Sequence, residues 1–108
     1  MKVIYSKYLP VKGFRAINLF GVIFARSDEP RLTKQILNHE KIHSRQMTEL
    51  LVIGFYVWYI LEWLIRWIIY KDSMKAYRNI CFEREAFDND TNPHFLEERK
   101  WYGFWHYM

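Results

Sequence analysis

Cysteine is nearly absent from this sequence of 108 residues, where Cys81 is the single example. One cysteine cannot close an intramolecular disulfide, so nothing in the chain requires an oxidising compartment. A cysteine-rich structural zinc knuckle is excluded for the same reason. The first residues also lack the apolar core and cleavage site of a signal peptide, and we therefore expect a cytoplasmic protein.

Linkers and clusters of basic charge are missing as well. No interior stretch is rich in Pro, Gly or Ser, and no repeat or low-complexity segment is present, which predicts one domain over residues 1–108. The net charge is +4 with scattered basic residues, a pattern that argues against a nucleic-acid partner. Apolar residues are abundant instead, at 51% of the chain with 19% aromatic, and a dense core or a lipid surface must take them up.

The first quarter of the chain has β character. Residues 14–26 are rich in β-branched and aromatic side chains and follow a turn signal at Lys12-Gly13. They indicate one or two strands, with Gly21 at a bulge or close approach, and residues 2–9 are a candidate partner strand. We expect an α+β fold in which a small antiparallel β element, at about residues 2–26, precedes three or so helices.

A helix is predicted from about residue 30, because Ser27-Asp28-Glu29-Pro30 resembles a helix start. Along it, apolar residues and two histidines recur at spacings of three and four, which places both histidines on the inward face. The members of this stripe are Leu32, Ile36, His39, His43, Met47 and Leu50.

The segment His39-Glu40-Lys41-Ile42-His43 carries the strongest chemical signal. Two histidines four residues apart on a helix present their imidazoles on one face, at a separation that suits a tetrahedral Zn²⁺. A glutamate directly after the first histidine can reach a water on that ion. Lys41 stands where such motifs usually carry an uncharged residue. The alternative is a pair of partly buried histidines in an ordinary amphipathic helix.

A third metal ligand is expected on a later helix, which should begin at Asp72-Ser73 and end near Asn89. Of the two candidates, Glu83 shares a helical stripe with apolar residues, whereas Glu85 points nearly the opposite way. An inward carboxylate is costly without a cation or another partner. Zinc would satisfy Glu83, and the alternative is a buried ion pair with one of three arginines: Arg15, Arg66 or Arg78.

With these residues the chain resembles zincin metallopeptidases of the glutamate-ligand type (gluzincins) over about residues 31–90. It looks most like the peptidase domains of bacterial antirepressor sensors and CAAX-prenyl-type proteases, in which the glutamate is followed three residues later by a small residue and then by aspartate. Ala86 matches the small residue, but Phe87 stands in place of the aspartate. The group that orients one histidine would then come from Asp88, Glu49 or a backbone carbonyl.

The resemblance implies hydrolysis of a peptide or protein substrate at zinc held by His39, His43 and Glu83, with Glu40 as general base. Related zincins bind extended substrate along a sheet edge, which here would be the strand within residues 14–26. The oxyanion needs a donor, and four residues are candidates for it: Tyr77, Arg78, His94 and His106.

Residues 50–70 are apolar on nearly every face and long enough to cross a bilayer, with Glu62 and Arg66 as their only charges. A straight span would separate His43 and Glu83 by about 30 Å, so a shared ion requires the segment to bend, lie along the interface or form a core helix. A kink near Gly54 would help. We favour a deeply buried core helix, and membrane association through this segment and the aromatic residues 101–108 is the alternative.

Two other functions compete with a peptidase. One is a membrane-associated or partner-binding helical module in which the histidine motif is structural or inactive. The other keeps the metal without peptidase chemistry, as in a metal-dependent regulator.

Overall fold

The computed structural model describes residues 2–10 and 14–108, and the turn expected at Lys12-Gly13 lies outside them. The fold is α+β, with a small sheet followed by several helices. The strands are β1 (Val3–Ser6), β2 (Ala16–Leu19) and β3 (Val22–Arg26). The helices are α1 (Lys34–Glu49), α2 (Ile53–Tyr70), α3 (Ser73–Arg78), α4 (Cys81–Asn89), α5 (Phe95–Glu98) and a C-terminal 3₁₀ helix (Gly103–Tyr107).

The sheet has the strand order β1-β3-β2 and is mixed. Strands β2 and β3 form an antiparallel hairpin whose tight turn uses positive φ at Phe20 and Gly21, so Gly21 lies at the turn rather than in a strand bulge. Strand β1 pairs parallel to β3, with Val3 opposite Ile23. The expectation of an all-antiparallel element was therefore wrong for β1. Strands β1 and β2 lie at opposite edges of the sheet, with β3 between them. The alternating pattern of a short strand shows which face is buried but not the direction in which the strand pairs.

Helix α1 begins at Lys34 rather than near residue 30, so the predicted start was wrong. The Thr33 hydroxyl accepts the helix-capping hydrogen bond. Asp28, which looked like a capping residue, instead accepts two hydrogen bonds of 2.9 and 2.8 Å from the Arg26 guanidinium. The Asp28 carboxylate is thus bound to Arg26 and does not cap a helix that begins at Pro30.

Helix α2 runs unbroken over 18 residues, but only 6% of it is buried. The favoured expectation of a deeply buried core helix is therefore wrong. The break between α1 and α2 lies at Leu51 and Val52, which both have positive φ (57° and 64°), and α2 has no break at Gly54. Apolar composition on all faces does not reveal whether a helix meets protein, lipid or water.

The single helix expected over residues 72–89 is divided into α3 and α4. Its start is confirmed, because the Asp72 carboxylate caps α3. Helix α4 begins at Cys81, and its first backbone N–H donates a 2.9 Å hydrogen bond to the Glu62 carboxylate of α2. Nothing in the sequence indicated this contact. This contact ties the middle of α2 to the first turn of α4, beside the residues of the candidate site.

The core lies between α1, α2, α4 and the C-terminal 3₁₀ helix. Its buried members are Met47, Phe55, Ile80, Cys81, Phe82 and Phe104. Phe104 packs edge-on against Phe82 at 4.9 Å between ring centroids. The aromatic C-terminus thus covers the core through Phe104, while Trp101 and Trp105 remain exposed.

Candidate metal centre

Helices α1 and α4 bring His39, His43 and Glu83 together. The Glu83 Oε1 atom lies 3.1 Å from His39 Nε2 and 3.0 Å from His43 Nε2, and the two Nε2 atoms are 3.2 Å apart. The His43 and Glu83 side chains are buried, at 6% and 5% exposed, and the His39 side chain is nearly so, at 11%. Three potential metal-binding atoms from two helices thus form a nearly equilateral triangle.

The outer nitrogen of His39 is held by Asp90, whose Oδ2 lies 3.0 Å from Nδ1. An ionised carboxylate only accepts, so His39 Nδ1 carries the proton. In the neutral imidazole, Nε2 is then a lone-pair nitrogen that points toward Glu83.

The outer nitrogen of His43 is held in the same way by Gln46, whose Oε1 lies 2.8 Å from Nδ1. The Gln46 amide nitrogen donates to the Phe82 carbonyl and to Glu85 Oε1, at 3.1 and 2.8 Å. These two bonds identify the atom facing His43 as the amide oxygen, which only accepts. His43 Nε2 is therefore also a lone-pair nitrogen in the neutral ring.

Three lone-pair atoms that face one another in a buried site are costly unless a proton or a cation lies among them. A tetrahedral zinc with bonds of about 2.0–2.1 Å separates its ligand atoms by about 3.3 Å. The observed separations of 3.0–3.2 Å are close to that value. Two imidazoles and a carboxylate are also a common catalytic zinc set, and these three side chains could hold a metal ion.

The electrostatics of the cluster favour positive charge. Burial opposes protonation of His43, but the Glu83 carboxylate outweighs it and raises the pKa of His43 to about 9. Burial likewise opposes ionisation of Glu83, and the two imidazoles overcome it and hold its pKa well below the ordinary range. The Tyr59 hydroxyl of α2 donates a 2.6 Å hydrogen bond to Glu83 Oε2, which leaves Oε1 for the histidines.

Glu40 lies beside the cluster and is buried, and its Oε2 has no hydrogen-bond partner within residues 2–10 and 14–108. Burial raises its pKa, although the neighbouring histidines lower it in part. Glu40 lines a cavity of about 420 Å³ together with His43, Glu83 and residues 16–19 of β2. A buried, unpartnered carboxylate at a cavity wall is placed to exchange protons with a molecule inside it.

The three arginines considered as ion-pair partners of Glu83 have other contacts. Arg66 pairs with Glu62 at 2.8 Å, Arg78 lies 3.9 Å over the Phe87 ring, and Arg15 donates to the carbonyls of Pro30 and Arg31. Glu85 lies outside the cluster of His39, His43 and Glu83. It is buried all the same, in an ion pair with Arg99 that sequence reading did not identify.

The proposed histidine-orienting groups were the wrong ones. Asp88 is exposed, and Glu49 pairs with Arg99 at 2.6 Å. Asp90 holds His39 instead, and it lies directly after the predicted helix end near Asn89. Gln46 follows His43 by three residues on the same helix, a spacing that could have pointed to it.

Two of the four oxyanion candidates lie near the cluster. Tyr77 lines the 420 Å³ cavity. Arg78 lines a neighbouring cavity of about 530 Å³ that also borders His39 and Glu40. His94 is exposed and pairs with Glu97 at 3.3 Å, and His106 is exposed in the C-terminal 3₁₀ helix.

Comparison with models of known protein families, with curated proteins and with solved structures found no match to this chain.

Proposed function

We propose that this protein is a zinc-dependent metallopeptidase with His39, His43 and Glu83 as metal ligands. One observation carries the proposal: the Nε2 atoms of His39 and His43 lie 3.1 and 3.0 Å from one Glu83 oxygen, and each is the lone-pair nitrogen of its neutral ring because Asp90 or Gln46 engages Nδ1. The unpartnered Glu40 carboxylate beside them supplies the second requirement of hydrolysis, a base.

Bound zinc would supply a water of lowered pKa and a Lewis acid for the scissile carbonyl. Glu40 accepts the proton of the attacking water at Oε2 and passes it to the leaving amine. Tyr77, at the wall of the same cavity, is placed to donate to the developing oxyanion.

The substrate is an extended peptide segment. Strand β2 is at one edge of the sheet, and Ala16, Ile17, Asn18 and Leu19 line the cavity. An edge strand presents unpaired backbone groups, to which an extended peptide can add as a further strand. This pairing would lay the scissile bond against Glu40.

The test uses the zinc-loaded full chain and a library of quenched fluorescent peptides. We expect Glu40→Gln to lower turnover by about 10²–10⁴-fold while zinc stays bound, because it removes the base and leaves all three ligands. Glu98→Gln, an exposed site, is the matched control and should keep full turnover. Unchanged turnover in Glu40→Gln would show that Glu40 is not the base.

We further propose that the enzyme rests on a membrane surface through α2. The helix exposes a row of large apolar side chains, each at least 42% accessible: Ile53, Val57, Ile60, Leu61, Leu64, Ile65, Trp67, Ile68 and Ile69. The two charged residues of α2, Glu62 and Arg66, form an ion pair with each other. Exposed Trp101 and Trp105 add side chains that favour a membrane interface.

A surface orientation fits the site better than a span does. Tyr59, near the middle of α2, contacts Glu83 at 2.6 Å. If α2 crossed a bilayer, the carboxylates of the metal centre would lie near its midplane, where buried charge is most costly. A helix along the interface instead buries its apolar face in lipid and leaves the centre in protein.

A further inference from the structure

Arg99, directly after α5, is the centre of a buried ion cluster. Its guanidinium makes a two-bond contact with Glu49, at 2.6 and 2.9 Å, and another with Glu85, at 2.7 and 3.0 Å. All three side chains are no more than 1% exposed. The three contributing segments are α1, α4 and the residues that follow α5.

The cluster continues to the metal centre through one residue. Glu85 Oε1 accepts a 2.8 Å hydrogen bond from the Gln46 amide nitrogen, and the Gln46 amide oxygen accepts from His43 Nδ1 at 2.8 Å. Gln46 is fully buried. The Arg99 guanidinium thus reaches a metal ligand through Glu85 and Gln46, with no gap in the hydrogen-bond chain.

Stability alone is a weak reason for such a cluster. Removing three charges from water is expensive, and apolar replacements of buried ion groups are often neutral or stabilising. Geometry is a better reason, because each Arg99 bond restricts the orientation of Glu85, and Glu85 together with the Phe82 carbonyl selects the amide orientation of Gln46. A reversed Gln46 amide would present NH₂ to His43 and favour the wrong tautomer.

We propose that Arg99 is a positioning residue of the metal centre, acting through Glu85 and Gln46 to hold His43 with Nε2 toward Glu83. This inference rests on the proposed zinc site. It makes the segment after α5 part of the centre, although none of its residues touches the ligands directly.

The first test replaces Gln46 by methionine, which keeps the side-chain length but cannot hold His43 Nδ1. We expect zinc affinity, measured by competition with a chromophoric chelator, to fall by about 10–100-fold. Co²⁺ added in place of zinc should give an altered visible absorption spectrum, a change that lower stability alone would not produce.

A matched pair separates geometry from charge. Glu85→Gln and Glu49→Gln each remove one carboxylate charge from Arg99, but only Glu85 contacts Gln46. Glu85→Gln should weaken zinc binding at least about tenfold, and Glu49→Gln by much less. This comparison decides the question even if Gln46→Met does not fold.

The outcomes distinguish the two proposals. A wild-type chain that binds neither Zn²⁺ nor Co²⁺ overturns the zinc site and this inference with it. A wild type that binds zinc, with folded Gln46→Met and Glu85→Gln variants of equal affinity and unchanged Co²⁺ spectra, overturns the positioning role of Arg99 alone.

Discussion

Asp90 Oδ2 lies 3.0 Å from His39 Nδ1, so a residue just beyond the end of α4 fixes the tautomer of a histidine on α1. Asp90 is itself held by Gln35, whose amide nitrogen donates to Oδ1 at 3.0 Å. The carboxylate is buried. In the proposed centre it orients His39 and makes that nitrogen ligand more basic.

Asp90→Asn tests this contact. An asparagine can turn its NH₂ toward His39, which removes the constraint on the tautomer, and we expect zinc affinity to fall by about 10–100-fold. Competition with a chromophoric chelator measures the change. Asp88→Asn is the control at an exposed position and should bind like wild type. Equal affinities for the two variants would contradict the role of Asp90.

Tyr59→Phe removes the 2.6 Å hydrogen bond to Glu83 Oε2. The carboxylate then keeps a buried oxygen without its donor, at a cost of about 1–3 kcal/mol. We expect weaker zinc binding, read by calorimetry. Tyr56→Phe is matched in chemistry, because the Tyr56 hydroxyl bonds to the backbone of Asn18 and Phe20 rather than to a ligand. Equal effects from both changes would rule out a specific part for Tyr59.

Gly103→Ala probes the wall of the Arg99 cluster. A Cβ on Gly103 would lie 2.6 Å from Glu85 Oε2 and 3.2 Å from Arg99 Nε. Because this pair is buried, we expect a loss of about 1–3 kcal/mol in the free energy of unfolding, measured with urea. Gly54→Ala in α2 meets only an ordinary 3.5 Å contact and should stabilise slightly. An unchanged free energy of unfolding in Gly103→Ala would show that Glu85 and Arg99 can shift to accommodate the methyl group without loss of stability.

Ile68→Glu tests the membrane proposal on the exposed face of α2, where Ile68 is 76% accessible. Losing one apolar anchor costs about 1.5–3 kcal/mol, so binding to anionic vesicles of phosphatidylcholine and phosphatidylglycerol should fall at least about tenfold in a flotation assay. Tyr8→Glu introduces the same charge at a side chain that is 83% accessible and belongs to the segment after β1 rather than to α2, and it is the control. A wild type that stays in solution would contradict the proposal.

His39, His43 and Glu83, which helical phase placed on inward faces, lie together in the structure. His39 and His43 needed only the spacing of one helix, and Glu83 needed only its place among inward apolar neighbours, so local periodicity was enough. Asp90 and Tyr59 were missed because their roles depend on contacts between segments that lie 51 and 24 residues apart in the sequence. No spacing rule reaches across such distances.

The errors in the fold have the same origin. Pro30 and Asp28 have the residue types of a helix start, but the ion pair with Arg26 engages Asp28. The apolar segment at 50–70 has the composition of a core helix, yet α2 has too few neighbours to cover it. Composition fixes how much apolar surface a helix carries, whereas tertiary structure decides what covers it.

X-ray absorption at the zinc edge identifies the atoms bound to the metal and their distances. For the purified full chain with one equivalent of zinc, we predict only nitrogen and oxygen ligands at about 2.0–2.1 Å, with the multiple scattering of two imidazoles. His39→Ala and His43→Ala should each remove one imidazole signal or abolish binding. A chain that takes up no zinc, or that keeps an unchanged spectrum after both histidines are replaced, would contradict the account.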